Sequence, residues 1–143
     1  MLNLPEDPIN WRAKLRLHHV QVSMPRGAED EARRFYSEVL GLQEVQKPPS
    51  LSGRGGCWFR AFDGESIMAE IHLGVEEPFH AAGKSHPGLV CESLKELEEL
   101  ASRIESNGFE LSWAERDTFE GYVRFHTRDG FGNRIEVMTP TEL

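Results

Sequence analysis

Apolar residues at 20 and 22 alternate with polar residues at 19, 21 and 23, so a strand with one face in a core is predicted over 15–24. Pro25 and Gly27 end it. From 28 to 40 the period lengthens: Ala32, Phe35, Tyr36, Val39 and Leu40 form one stripe of an α-helix, with Glu29–Arg33 and Asp30–Arg34 paired one turn apart. Gly41 follows directly, where a left-handed residue closes a helix. Extended segments are predicted at 43–47, 56–62 and 67–75, separated by Pro48-Pro49 and Asp63-Gly64. Residues 76–85 read as loop. The same order then recurs, with a short extended run at 86–91 and a helix opened by the capping box Ser93-Leu94-Lys95-Glu96. Its stripe is Leu94, Leu97, Leu100, Ala101 and Ile104, and Gly108 stands past its end as Gly41 does. Segments at 110–113, 121–127 and 134–138 complete the second series.

The recurrence has a measurable offset. His19 to Gly41 spans 22 residues, as does His86 to Gly108, and the two sets lie 67 residues apart. That is longer than the roughly 20–50 residues of a solenoid repeat, so each unit reads as a βαβββ half-domain. The expected organisation is α+β: an arm over 1–14 without periodicity, then one domain over 15–140 made of halves 15–78 and 85–140.

Composition narrows the partners. The 143 residues are 38% hydrophobic and 28% charged, enough for one core without staples. A net charge of −8 and a pI near 5.2 argue against a nucleic-acid partner, which needs clustered Lys and Arg. No apolar run approaches the roughly 20 residues of a membrane span, and the N-terminus lacks a signal-peptide pattern, so no membrane partner and a cytoplasmic location are expected. Cys57 and Cys91 form no CxxC pair and are expected to stay reduced.

The chemistry concentrates on strands. His19 shares a face with Gln21 and Ser23; His72 lies in the fourth predicted strand, His86 opens the second half, and Glu136 lies in the last strand. Neutral imidazole and ionised carboxylate suit divalent transition metals, and distant positions can supply them when strands converge. Trp58 with Arg60, and Arg124 with His126, alternate on the third strands as candidate lining residues. Lys84 shares a face with His86 if that strand starts early. His80 reads as a loop residue, and Glu96, Glu98 and Glu99 as the wet face of a helix. His18 is expected to turn away from His19 and pack beside Val20 on the helix-facing side.

The opening Leu17-His18-His19-Val20-Gln21-Val22, the helical Phe35-Tyr36-Ser37-Glu38-Val39-Leu40-Gly41-Leu42 and the closing Asp129-Gly130-Phe131-Gly132-Asn133-Arg134-Ile135-Glu136-Val137 resemble the vicinal oxygen chelate superfamily. That family includes glyoxalase I, extradiol dioxygenases, methylmalonyl-CoA epimerase, fosfomycin-resistance transferases and bleomycin-binding proteins. The resemblance covers nearly the whole chain. It implies two βαβββ halves forming a U-shaped mixed sheet with helices on the convex face, and metal ligands from the first and fourth strands of each half.

His19, His86 and Glu136 match three ligand positions. The fourth falls on His72, with Glu70 two residues away on the same face, and a register shift of two would exchange them; His72 is expected as a fourth ligand or as a nearby base. Glu136 or His72 would move the proton. The implied function is a divalent-metal-dependent enzyme (Zn, Ni, Fe, Mn or Co) acting on a small molecule with adjacent oxygens, by lyase- or isomerase-like proton transfer. The alternative is a metal-free protein that sequesters a small ligand. A homodimer is implied by the same resemblance.

Overall fold

The computed structural model describes residues 12–142; of the arm expected over 1–14, residues 1–11 lie outside the described residues. The first half runs β1 (Val20–Met24), α1 (Glu29–Arg33) continued by a π-helical turn (Arg34–Val39), β2 (Gln43–Val45), a 3-10 turn (Pro49–Arg54), β3 (Cys57–Asp63) and β4 (Ser66–Val75). The second runs β5 (Gly88–Val90), α2 (Leu94–Ser106), β6 (Leu111–Ser112), β7 (Tyr122–Arg128) and β8 (Arg134–Pro140). Each half is a four-stranded mixed sheet, ordered β1-β4-β3-β2 and β5-β8-β7-β6. β1 and β5 lie parallel to β4 and β8, and the remaining pairs are antiparallel. The duplicated βαβββ architecture expected from the offset is the architecture observed.

The half-sheets meet along β1 and β5. One cavity is lined by Val20–Ser23 together with Ser85, His86 and Pro87, and another by residues 17–20, 67–71 and 87–89. On the opposite face the helices lie side by side. Phe35 meets Phe109 edge-on at 5.0 Å, and Arg103 and Arg34 donate to the carbonyls of Val39 and Asn107. Alternation then sorts the strand residues. Val22, Met24, Phe59, Ile71, Leu73, Phe125, Ile135 and Val137 enter one core with Phe35, Tyr36, Val39, Leu97, Ala101 and Ile104. The intervening positions, among them Gln21, Trp58, Arg60, Glu70, His72, Arg124, His126, Arg134 and Glu136, take the opposite, concave face.

Buried polar groups tie the halves at the β7–β8 turn. The Asp129 carboxylate accepts from the Phe131 and Asn133 amides, from Asn133 Nδ2 and, at 2.6 Å, from the Tyr36 hydroxyl. Asn133 also donates to the Ser23 carbonyl and accepts from the Ala82 amide. The turn thereby fixes how β8 sits beside β1, which matters because both strands border the concave face.

Three elements differ from the sequence expectation. The first strand begins at Val20 rather than 15, because β4 pairs with β1 only from Ile71 onward; Leu15 and Leu17 remain 89% and 83% exposed. The first helix widens after Arg33, with the Leu40 amide bonded to the Phe35 carbonyl, five residues back. Phe35 and Tyr36 both lie in the core. β5 starts at Gly88, so Lys84 and His86 precede the strand. The two helix-closing glycines behave alike: Gly41 and Gly108 have φ of 88° and 87°, where a side chain would be strained. Among the described residues no helix is long and apolar enough to cross a membrane.

Candidate functional site

The concave face carries two clusters, one on each half-sheet. In the second half, β7 and β8 are antiparallel with His126 directly opposite Glu136, and His86 approaches from the segment before β5. Glu136 Oε2 lies 2.9 Å from His86 Nε2 and 3.9 Å from His126 Nε2. Among the described residues, His86, His126 and Glu136 are the set of three whose ligand atoms all fall within 4.8 Å of one another. Arg124 clamps the other carboxylate oxygen, donating to Oε1 at 3.0 Å. The guanidinium is itself held by the Glu115 carbonyl and the Thr118 hydroxyl.

Two features of this set fit a cation. His86 Nδ1 lies 2.8 Å from the Lys84 carbonyl, an acceptor, which places the ring proton there. Nε2 then presents a lone pair to a carboxylate oxygen, and two acceptors this close require a proton or a metal ion between them. A histidine that donates one nitrogen to a carbonyl and offers the other is the usual arrangement of a ligating imidazole. His126 supplies the second feature, because its Nε2 is buried without a hydrogen-bond partner and faces the same oxygen. Burying an unpaired polar atom is costly unless something completes it.

The first half carries a different assembly. His72, on β4, is stacked between Trp58 at 3.8 Å and His19 at 4.0 Å. Its Nε2 is 2.5 Å from Glu70 Oε2, and Arg60 donates to Glu70 Oε1 at 2.7 Å. Burial raises the Glu70 carboxyl, but hydrogen bonds from His72 and Arg60 outweigh it and hold the group below its ordinary value. Burial also lowers His72, against the opposing pull of Glu70. The pair is therefore carboxylate and neutral imidazole at neutral pH. The carboxylate can only accept, so the imidazole proton sits on Nε2 and Nδ1 keeps its lone pair.

The four residues expected as ligands are thus divided. His86 and Glu136 come together, whereas His19 and His72 belong to the stack in the first half. Glu70 and His72, the two residues read for the fourth position, are hydrogen-bonded to each other. His18 does not pack on the helix-facing side: it is exposed, with its Nδ1 3.0 Å from that of His19, because the chain is not yet in strand geometry there. His126, read from sequence only as a lining residue, joins Glu136 through strand register. His80 is exposed and borders the cavity beside His86.

The buried carboxylates and imidazoles of the two clusters share one pH sign. Burial lowers His126, helped by Arg134 and opposed by Glu136, and Glu136 itself is held below its ordinary value by Arg124, against its burial. For His72 and His126 the unfolded chain binds more protons, so their contribution to stability is full above about pH 6.5 and is lost as pH falls toward their folded values. For Glu70 and Glu136 it is full above about pH 4.3 and is lost below that. Metal-free protein is expected to lose melting temperature in two stages as pH drops from about 7 to about 3. Thermal unfolding across that range checks this; no change between about pH 7 and 5 would contradict the histidine assignment.

The family model for the Glyoxalase/Bleomycin resistance protein/Dioxygenase superfamily matches residues 16–137. The chain belongs to this superfamily. A glyoxalase family protein from Bacillus anthracis is 38% identical, with 92% of this chain and 100% of that chain covered and a TM-score of 0.78. A glyoxalase/dioxygenase from Nostoc punctiforme shares the fold at 19% identity, covering 99% and 100% of the two chains with a TM-score of 0.68. So does the fosfomycin resistance protein FosX from Listeria monocytogenes, at 17% identity, 88% and 92% coverage and a TM-score of 0.65. No curated protein matches the chain. The glyoxalase superfamily commonly uses divalent metals, and the His86, His126 and Glu136 set is where this member offers suitable donors.

Proposed function

We propose that this member of the glyoxalase superfamily is a divalent-metal-dependent enzyme that moves a proton on a small molecule with adjacent oxygens, in the manner of an isomerase or lyase. The observation that carries the reading is the convergence of His86 Nε2, the unpartnered His126 Nε2 and Glu136 Oε2. His86, His126 and Glu136 would hold the ion, a donor set that suits Zn, Ni, Fe, Mn or Co. When bound, the ion supplies Lewis acidity toward the paired oxygens of a substrate, and three protein ligands leave room for them.

The remaining work falls to this chain's side chains. Arg124 fixes the Glu136 carboxylate so that Oε2 alone turns to the histidines. Glu70 holds His72 in the tautomer with a free Nδ1, and Arg60 holds Glu70. His72 is the base in this scheme, accepting a carbon-bound proton at Nδ1 and returning it to a neighbouring carbon or oxygen. Its lowered pKa keeps it unprotonated at neutral pH, as a general base must be before the transfer. Trp58 and His19 confine the ring from both faces. The reading is tested by metal content: protein purified without chelator carries on the order of one ion per chain, and Glu136→Gln protein loses it. Wild type that binds no divalent metal would leave sequestration of a small ligand as the better reading.

A further inference from the structure

Two cavities flank the proposed metal set. One, of about 780 Å3, is lined by His126, Glu115, Arg128 and Arg134 with residues 108–112; the other, of about 260 Å3, by Gln21, Ser23, His80, His86 and Arg134. Arg134 borders both. It stands two residues before Glu136 on β8, so the two side chains leave the strand on the same face.

The other arginines on this face are engaged. Arg60 is bonded to Glu70, Arg124 to Glu136 and Thr118, and Arg128 to the Gly132 carbonyl with Glu110 at 3.8 Å. Arg134 is half-buried, yet its guanidinium makes no hydrogen bond or ion pair among the described residues. Glu105, Glu110 and Glu115 border the larger cavity, and none of them is bonded to Arg134, although the Glu115 and Arg134 charges attract. Glu115 is turned to the Thr118 hydroxyl and Arg124, and Glu110 to Arg128. A half-buried guanidinium with all five donors unspent, beside a metal set and opening onto two cavities, is equipped to take a planar or tetrahedral anion.

We propose that Arg134 selects the substrate: it binds an anionic group, a carboxylate or a phosphate, carried a few bonds away from the adjacent oxygens. This rests on the metal-dependent reading above. Arginine holds such groups through two parallel N–H bonds, which orients the substrate as well as attracting it. A chain of net charge −8 repels small anions overall, so a local cation with unbonded donors is needed to admit one.

Three α-hydroxyketones that differ in one substituent test this on metal-loaded protein: hydroxyacetone (neutral), hydroxypyruvate (carboxylate) and dihydroxyacetone phosphate (phosphate). Calorimetry on wild type is expected to show an anionic probe bound about tenfold or more tighter than hydroxyacetone. In Arg134→Gln the ratio collapses toward unity, and in Arg134→Lys part of it is retained. Preference for hydroxypyruvate identifies a carboxylate, and preference for dihydroxyacetone phosphate a phosphate. The proposal is overturned if wild type shows no anionic preference, if it binds none of the probes, or if Arg134→Gln keeps the full ratio. The wild-type comparison decides even if Arg134→Gln does not fold. Metal content measured on the same samples separates the two readings: an Arg134-dependent preference without metal removes only the metal reading, and metal retention without preference removes only this one.

Discussion

Glu136→Gln is expected to weaken retention of a divalent ion by more than about a hundredfold while leaving the chain folded. Replacing a residue that only supports a ligand costs roughly ten- to a hundredfold in metal affinity, and Glu136 supplies the donor oxygen itself. The amide keeps the size and can still accept from Arg124, so the β7–β8 pairing survives, but the negative charge that draws the ion between His86 and His126 is gone. Metal analysis after dialysis, with circular dichroism as the folding control, measures both halves of the statement. Full occupancy in the folded variant would remove Glu136 from the ligand set.

His72→Ala is expected to do the opposite, keeping the metal and losing turnover. General-base catalysis contributes about a hundred- to ten-thousandfold, and the loss should fall in that range. Exchange of carbon-bound hydrogen from an α-hydroxyketone into deuterium oxide, followed by NMR on metal-loaded protein, reads the step directly. Glu70 keeps its bond to Arg60 in the variant, so the truncation does not strand a buried carboxylate without a partner. If metal is lost along with exchange, His72 is a ligand after all. If exchange continues at the wild-type rate, the base lies elsewhere.

These two roles were only partly legible in one dimension. Alternation identified which side chains share a strand face, and the matched distances from His19 to Gly41 and from His86 to Gly108 exposed the duplication, because both depend on local periodicity and on helix-closing glycines. The partnership of Glu136 with His126 depends on the β7–β8 register, which brings residues ten apart face to face across a turn. The stripe formed by Arg124, His126 and Arg128 opposite Met138, Glu136 and Arg134 held that signal, but its alignment rests on where Asp129 and Asn133 close the turn. Glu70 and His72 were visible as neighbours on one face. That they bond to each other depends on burial and on Arg60 reaching Glu70 from β3. The widened turn after Arg33 was hidden for a different reason: Ala32, Phe35, Tyr36, Val39 and Leu40 satisfy an α-helical stripe, and the same five side chains are buried with the wider winding.

The most direct measurement is anomalous X-ray diffraction from crystals of the metal-loaded protein, collected above the absorption edge of the added ion. One strong peak is expected at roughly 2.0–2.3 Å from His86 Nε2, His126 Nε2 and Glu136 Oε2. A peak at His19 and His72 instead, or none at the His86, His126 and Glu136 set under replete metal, would contradict the account.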